Sequence, residues 1–422
     1  MTAQNTHMVL ARKYRPQKFR DVIEQKTAVL ALQNAAAADR IGSAYIFFGP
    51  RGVGKTTIAR ILAKRVNCTS PKDNEPCDEC ESCLSILHGN SMDVIEIDAA
   101  SHRGIHHVRE LRENVKFQPM SGLKKVYIID EVHMLTTESF NALLKTLEEP
   151  PPHILFILAT TEFNKIPETI LSRCQVFTFS QVPLSIVQDY LAEICKKDGL
   201  KAEEEALFWI ARRGDGSIRD SLSFMEQAIT FCGGDITSAK VKELTGAVYF
   251  DLFLKITKML LDSRGSPEDL MMPIHDFFIT GGDLNRFVWE FLDFLRIAIH
   301  IKSGTENTEF LGIPGTEIAH IKSGLEAVDP LKLNVIFHGI YNLLTRGLAL
   351  RLRNSYEARV LIEMELLSLK EKLFRPSLSG IIQKLNRLMA SMKEGTPYSA
   401  ENELQKKFLG TVIDSNSVPH LE

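Results

Sequence analysis

Two kinds of hydrophobic pattern divide the chain. Unbroken apolar runs of strand length come first, at Ala44 to Phe48, Val126 to Ile129 and within "HILFILATTE". A run without polar alternation predicts a strand covered on both faces, as in a parallel sheet between helices. After the first run the spacing changes to three and four: Ile58, Ile61, Leu62 and Val66 share one helical face. Beyond residue 180 only helical spacing remains. Helices are predicted near 184–197, 203–213 and 217–232, separated by Gly199, by Gly214 with Gly216, and by Gly233-Gly234. Phe250, Phe253, Leu254, Leu260 and Leu261 then line one side of a segment, and Val360, Leu361, Met364 and Leu367 one side of a later one. Both stripes read as domain core. Ile381, Leu385, Leu388, Met389 and Met392 mark one more helix before a polar end expected to be weakly ordered.

Composition changes this picture little. The 422 residues are 44% hydrophobic and 24% charged, ordinary for a globular chain; at about 150 residues per domain they suggest two to four domains. A net charge of −3 excludes a general attraction to nucleic acid, so any DNA contact must come from a local basic surface or an assembled ring. No charged start leads into an apolar run, and no apolar stretch is of membrane-spanning length. The expectation is a cytoplasmic chain with reduced thiols and no membrane partner.

The apolar runs carry chemistry at their ends. "GPRGVGKT", Gly49 to Thr56, fits G-x-x-x-x-G-K-[ST] between a strand and a helix. Such a loop points backbone N–H groups and a helix N-terminus at phosphates. Gly49, Gly52, Val53, Gly54 and Thr57 belong to that cradle, Lys55 reaches the β- and γ-phosphates of ATP, and Thr56 holds Mg²⁺. Asp130-Glu131 ends "KVYIIDEVHML", at the strand edge where ligands bind in parallel sheets. Asp130 is placed for the Mg²⁺ shell and Glu131 to polarise an attacking water. "DEVH" also matches DExH helicases, but those need two nucleotide-binding lobes and only one is found. Thr160-Thr161 places polar groups where the γ-phosphate should lie, and arginines follow at Arg173 and Arg219.

Four of the seven cysteines are clustered: Cys68, Cys77, Cys80 and Cys83, with gaps of eight, two and two residues. Two Cys-x-x-Cys steps sharing Cys80 resemble a zinc knuckle, and four thiolates would close a structural site. An iron–sulfur cluster is the rival. Its common bacterial run has a fourth Cys three residues on followed by Pro, whereas Leu84 follows Cys83 here.

These residues together resemble the tau/gamma subunits of bacterial DNA polymerase III clamp loaders, members of the AAA+ ATPases. The resemblance rests on "LARKYRPQKFRDVIEQ", the cysteine cluster, "VIEIDAASHRGIHHVREL", "VYIIDEVHMLTTESFNALLKTLEEPP", "LATTEFNKIPETILSRC" and "GSIRDSLSFMEQAI". It covers about the first 250 residues by motif and the rest by helical pattern. The implied fold is an α/β P-loop AAA+ ATPase domain (1–180) with a zinc-binding insertion (68–83), a helical lid (181–246), an all-α oligomerisation collar (247–370) and a tail (371–422). By length the chain looks like the shorter, gamma-type form.

The resemblance also implies roles. Thr161, rather than Thr160, senses the γ-phosphate. Arg173 is an arginine finger for a neighbouring subunit's ATP, and Arg219 touches the phosphates of its own. Tyr14, Arg15 and Pro16, with Val22 and Ile23, form the adenine pocket. The cysteines bind structural zinc in an insertion away from the chemistry. Arg103 and Arg109 contact DNA; a position commonly basic in relatives reads Gly104, and His106 and His107 are mostly neutral at pH 7. Glu24 stands where the family commonly has Gly, so a turn needing positive φ would be strained there. The implied function is an ATP-hydrolysing motor that loads the ring-shaped sliding clamp (beta) onto primed DNA during replication. Its partners would be delta- and delta-prime-type subunits in a hetero-pentamer and the polymerase III core of a nucleoid-associated replisome. The family is often catalogued as DNA-directed DNA polymerase, a nucleotidyltransferase, although no polymerase active site is found in the sequence. An AAA+ protein remodelling another replication or repair partner is the alternative, and a subunit contributing only a finger is opposed by intact Lys55, Thr56, Asp130 and Glu131.

Overall fold

The computed structural model describes residues 8–101, 104–245, 249–279, 284–349, 355–374, 385, 386 and 389. The chain divides into two compact units, one of residues 1–250 and 306–320, the other of 251–305 and 321–422.

Unit one is built on five parallel strands: β1 (Ala44–Phe48), β2 (Val94–Asp98), β3 (Lys125–Asp130), β4 (Ile154–Thr160) and β5 (Gln175–Thr178). Their order is β2-β3-β4-β1-β5. Successive residues of each strand enter different cores, which explains the unbroken apolar runs. Tyr45, Phe47, Leu155 and Ile157 pack on one face with Ile58 and Leu62. Ala44, Ile46, Phe156 and Leu158 pack on the other with Leu143 and Leu147. Register brings Phe48 opposite Thr160 and Asp98 opposite Asp130, so the strands' carboxyl ends form one edge.

The flanking helices are α1 (Lys26–Ala37), α2 (Lys55–Asn67), α3 (Glu81–His88), α4 (Ile105–Asn114) and α5 (Thr137–Glu148). After β5 come α6 (Leu184–Asp198), α7 (Glu204–Arg213), α8 (Ile218–Cys232) and α9 (Ser238–Thr245). Local chemistry sets their ends. The Thr136 and Ser217 side chains accept from the backbone N–H of Ser139 and Asp220, capping α5 and α8. Gly199 and Gly233 end α6 and α8 at φ 66° and 68°, a conformation glycine adopts without strain. Helices α6 to α8 bury Leu191, Ile194, Trp209, Ile210, Leu222 and Met225 in a separate core. A two-residue parallel ladder, Lys201–Ala202 with Asp235–Ile236, joins the loops between them; it is too short to leave a periodic signal.

Unit two is helical in its described residues. Its long members are Tyr249–Leu261, which the boundary cuts, Pro267–Ile279, Leu284–Lys302, Pro330–Ala349 and Ser355–Phe374. Phe253 packs on Phe287, Phe291 and Phe294 with ring centroids 5.2, 5.1 and 5.9 Å apart. Phe253, Leu254 and Leu260 are buried as their stripe predicts. The later stripe is a correction. Ser355–Phe374 buries Ile362, Leu366 and Leu369, while Val360 and Met364 are 39% and 59% exposed. Apolar residues surround that helix on several sides, so spacing alone selects no single face. No helix among the described residues is long and apolar enough to cross a membrane. The predicted helix through Ile381 to Met392 falls largely outside the described residues.

Candidate functional site

The edge formed by the strands' carboxyl ends carries the motif residues. Between β1 and α2 the chain turns through Gly52 and Gly54 at φ 76° and 107°. Lys55, the first residue of α2, is 5% exposed, and its ammonium donates to the carbonyls of Gly49 at 2.7 Å and Pro50 at 2.6 Å. Burial pushes its pKa down, against the pull of Glu131 and Asp130. The Thr56 hydroxyl donates to Asp130 Oδ2 at 2.8 Å, so the two predicted magnesium ligands already meet. Glu131 follows β3 in the left-handed region, φ 48°, and its N–H donates to Asp130 Oδ1 at 3.0 Å.

The adjacent threonines differ. Thr161 donates its hydroxyl to Glu131 Oε2 at 3.2 Å. Thr160 is fully buried, and its Oγ1 lies 3.1 Å from His133 Nδ1. The His133 ring also approaches Glu131 Oε2 at 3.4 Å and Glu162 Oε1 at 3.3 Å. Sequence reasoning missed His133 as a neighbour of Glu131, although the "DEVH" spacing was the available signal.

One cavity of about 390 Å³ collects most of the predicted residues. Gly52, Val53, Gly54, Lys55, Thr56 and Thr57 line it, as do Asp130, Glu131 and Arg219. Tyr14, Arg15, Pro16, Val22 and Ile23 complete another part of its wall. Ala11, Arg51, Asp98, Ala100, Tyr190, Ile218 and Leu222 also line it and were missed. Of the residues predicted for nucleotide chemistry, Gly49, Thr161 and Arg173 do not line it. A Cβ on Gly49 would meet the Phe179 carbonyl oxygen at 2.3 Å, so this glycine serves close packing against the strand end. Thr161 is bonded to the lining residue Glu131. Arg173 donates to Glu148 Oε1 and to the Thr169 carbonyl, each at 2.7 Å. Arg103 lies outside the described residues, and only the backbone of Arg109, on α4, is described.

The helices after β5 close over the cavity. The Arg219 N–H reaches the Gly52 carbonyl at 3.4 Å, and a Cβ on Gly52 would meet Ser217 Oγ at 1.9 Å. Asp198, at the end of α6, accepts from Lys13 Nζ at 2.6 Å and from Tyr14 Oη at 2.5 Å. These bonds hold the Asp198 carboxyl below its usual range. The Tyr190 hydroxyl donates to the Tyr14 carbonyl at 3.2 Å, fixing the N-terminal segment on these helices.

At the other end of α2 the sulfurs of Cys68, Cys77, Cys80 and Cys83 lie within 4.8 Å of one another. Tetrahedral thiolate coordination at about 2.3 Å sets ligand sulfurs roughly 3.8 Å apart, close to the 4.0 Å between Cys77 and Cys83. Burial pushes the Cys77 thiol up, but N–H donors of Glu79 and Cys80 and the Ser70 hydroxyl outweigh it and bring it to about 6. Burial dominates at Cys83 and raises its pKa. The donor set fits a metal ion. The cluster lies at the opposite end of α2 from Lys55, and none of residues 68–83 lines the cavity. It is tied to the N-terminal segment through α2. Lys64 of α2, 2% exposed, donates to Asp78 Oδ1 at 2.6 Å and to Gln17 Oε1 at 3.0 Å.

Comparisons with known proteins bear on this arrangement. A family profile described as DNA polymerase III, delta subunit, matches residues 24–183. Another, described as the ATPase lid domain of the DNA polymerase III clamp loader subunit, matches residues 186–234. DNA polymerase III subunit tau of Bacillus subtilis is 44% identical over 291 residues, 69% of this chain and 51% of that one. DNA polymerase III subunit gamma of Buchnera aphidicola from Acyrthosiphon pisum is 40% identical over 289 residues, 68% of this chain and 80% of that one. The match thus spans about half the length of the tau relative and most of the gamma relative. Among solved structures, the Thermotoga maritima RuvB branch migration motor aligns with 74% of this chain and 91% of its own, at TM-score 0.42 and 16% identity. That likeness is too low to carry an argument.

Proposed function

Because the chain belongs to the family of DNA polymerase III gamma and tau subunits, we propose that it is an ATP-hydrolysing motor of a clamp loader. It acts with delta- and delta-prime-type subunits to place the sliding clamp on primed DNA beside the polymerase III core. The observation that carries this reading is one cavity lined by Lys55, Thr56, Asp130, Glu131 and Arg219, from separate segments.

In this reading Lys55 exchanges its carbonyl partners for the β- and γ-phosphates. Thr56 and Asp130 hold a magnesium ion, which when bound neutralises phosphate charge. Glu131 polarises the attacking water, and Thr161, bonded to it, relays the state of the γ-phosphate. Arg219 binds phosphates from the lid, residues 181–246. Tyr14, Arg15, Pro16, Val22 and Ile23 receive the adenine. Arg173, outside its own cavity, acts on a neighbour's ATP within an oligomer held by residues 247–370. Arg103 and Arg109 meet DNA phosphates. The four thiolates favour structural zinc, since they leave no open coordination position.

The test is ATPase and clamp-loading measurement on the chain assembled with clamp, delta-type subunits and primed DNA. Glu131→Gln should retain ATP binding and slow hydrolysis by about 10²-fold or more, the usual worth of a positioned general base. Wild-type hydrolysis by the variant removes Glu131 from its role. A wild-type assembly that leaves no clamp on DNA removes the clamp-loading reading.

A further inference from the structure

We propose that the cysteine loop positions the base-side wall of the nucleotide cavity through Glu75, and so sets affinity for the nucleoside rather than for the phosphates. This rests on the reading that Val22 and Ile23 face adenine.

Glu75 lies between Cys68 and Cys77 and is 7% exposed. Its carboxylate accepts the N–H of Phe19 at 2.7 Å and of Arg20 at 2.9 Å, and the Gln33 amide at 3.1 Å. Phe19–Asp21 is a single 3-10 turn whose preceding residue, Lys18, supplies no side-chain cap. Glu75 supplies that cap from a distant loop. Charge-assisted bonds to backbone N–H groups are the strong kind, and losing the acceptor strands two donors. Val22 and Ile23 follow the turn directly and line the cavity.

The carboxylate is itself held in place. Glu75 and Lys72 exchange backbone bonds of 2.8 and 3.1 Å across the left-handed pair Asp73 and Asn74. Two residues on, the Cys77 N–H donates to Cys68 Sγ at 3.3 Å. A second tie runs from Asp78 through Lys64 to Gln17, next to the lining residue Pro16. At its far end the segment is pinned by Gln25, which exchanges bonds of 2.8 and 3.1 Å with Ser180. The base-side wall is therefore held by Glu75, by the Asp78–Lys64–Gln17 tie and by Gln25, and the first two of these start from the cysteine loop. The phosphate side, from Gly52 to Thr57, makes no use of Glu75.

Glu75→Gln keeps the shape and replaces one acceptor oxygen by a donor facing N–H groups. Binding of a fluorescent ATP analogue and of inorganic tripolyphosphate is measured on the full chain, alongside Ile23→Asp, metal content and amide exchange at Phe19 and Arg20. We expect about tenfold weaker ATP binding, unchanged tripolyphosphate binding, retained metal and faster exchange at both amides, the order expected for lost charge-assisted bonds. Unchanged ATP affinity in Glu75→Gln, with Ile23→Asp weakened, overturns the inference and leaves the adenine reading standing. Unchanged ATP affinity in Ile23→Asp sinks that reading and the inference with it. Equal losses for ATP and tripolyphosphate mean general loosening and also overturn it. Should Glu75→Gln not fold, Asp78→Asn keeps the left-handed backbone and removes the charge from the tie to Lys64, weakening it. It should weaken ATP about threefold with tripolyphosphate unchanged, and an unchanged ATP affinity there counts against the inference.

Discussion

Helix α2 carries a loop at each end, and the two are shaped by opposite means. Before Lys55 the backbone enters the left-handed region at Gly52 and Gly54, residues without a side chain. After Asn67 it does so at Asp73, Asn74 and Asp78, all with polar side chains. The first loop must present bare N–H groups to an anion and let Ser217 of the lid approach its backbone. The second presents side chains instead of bare N–H groups. Its side chains are the structure: sulfurs converge, Glu75 caps a turn, and Asp78 meets buried Lys64. A loop that cradles an anion with its backbone is specified by what it lacks, and a loop that braces a wall by what it carries.

The largest expected effect breaks the first loop. Lys55→Ala removes the one buried ammonium of the cavity and should weaken ATP binding about 10²-fold or more, as loss of a buried charge partner does. Gly52→Ala should act as strongly by another route. Its φ of 76° disfavours any side chain, and the new Cβ overlaps Ser217 Oγ. Equilibrium binding of a fluorescent ATP analogue checks both. A Gly52→Ala protein that binds ATP as wild type does would show that bare backbone is not what this loop needs.

Breaking the second loop should cost stability before affinity. Cys80→Ser removes one thiolate from the set of four and should release the metal. Melting should then report a loss of about 2 kcal/mol or more, because metal binding contributes to local folding. Tripolyphosphate binding should hold, while ATP binding weakens less than in Lys55→Ala. Metal analysis and a thermal melt decide it. A chain that purifies with iron and visible absorbance would replace zinc by a cluster.

The two loops also differ in how much the sequence revealed. The first announces itself because its chemistry is local: glycines, Lys55 and Thr56 are contiguous, and the flanking runs are unbroken because both sheet faces are covered. The four sulfurs were legible for the same reason. What the second loop holds was not. Nothing in "DNEPC" marks Glu75 as the cap of Phe19 and Arg20, because its partners are distant in the chain and backbone groups carry no sequence. Tyr190, Ile218 and Leu222 escaped likewise: a residue facing a cavity from a helix has the same apolar signature as one facing the helical core. By position Thr160 and Thr161 read alike and only the resemblance favoured Thr161; the structure gives them different partners, His133 and Glu131. Glu24 was legible as a question. Its φ is 58°, so the turn does use the conformation for which the family commonly supplies glycine.

The smallest expected effect sharpens the comparison most, because it tests left-handed backbone without touching a functional group. Asp73 and Asn74, at φ 49° and 64°, join Lys72 and Glu75 in a tight antiparallel bridge. Two successive positive φ values are the pattern of a type I′ turn, which Asp-Gly fills well. Asn74 is exposed, and it is the Asn74 carbonyl that accepts from Arg65 Nε at 3.2 Å. Asn74→Gly preserves that carbonyl and removes a Cβ from a left-handed residue. Asn tolerates the region with little strain, so the gain is offset by the freer unfolded chain. Stability should change by about 0.5 kcal/mol or less, with metal content and ATP affinity unchanged. Asn74→Val should instead lose about 1–2 kcal/mol, since a β-branched residue is disfavoured there. Thermal melts of the pair measure the difference. If Asn74→Gly lowers ATP affinity as Glu75→Gln does, the Asn74 side chain shapes the brace and the distinction between the two loops lies elsewhere than in their side chains' contacts.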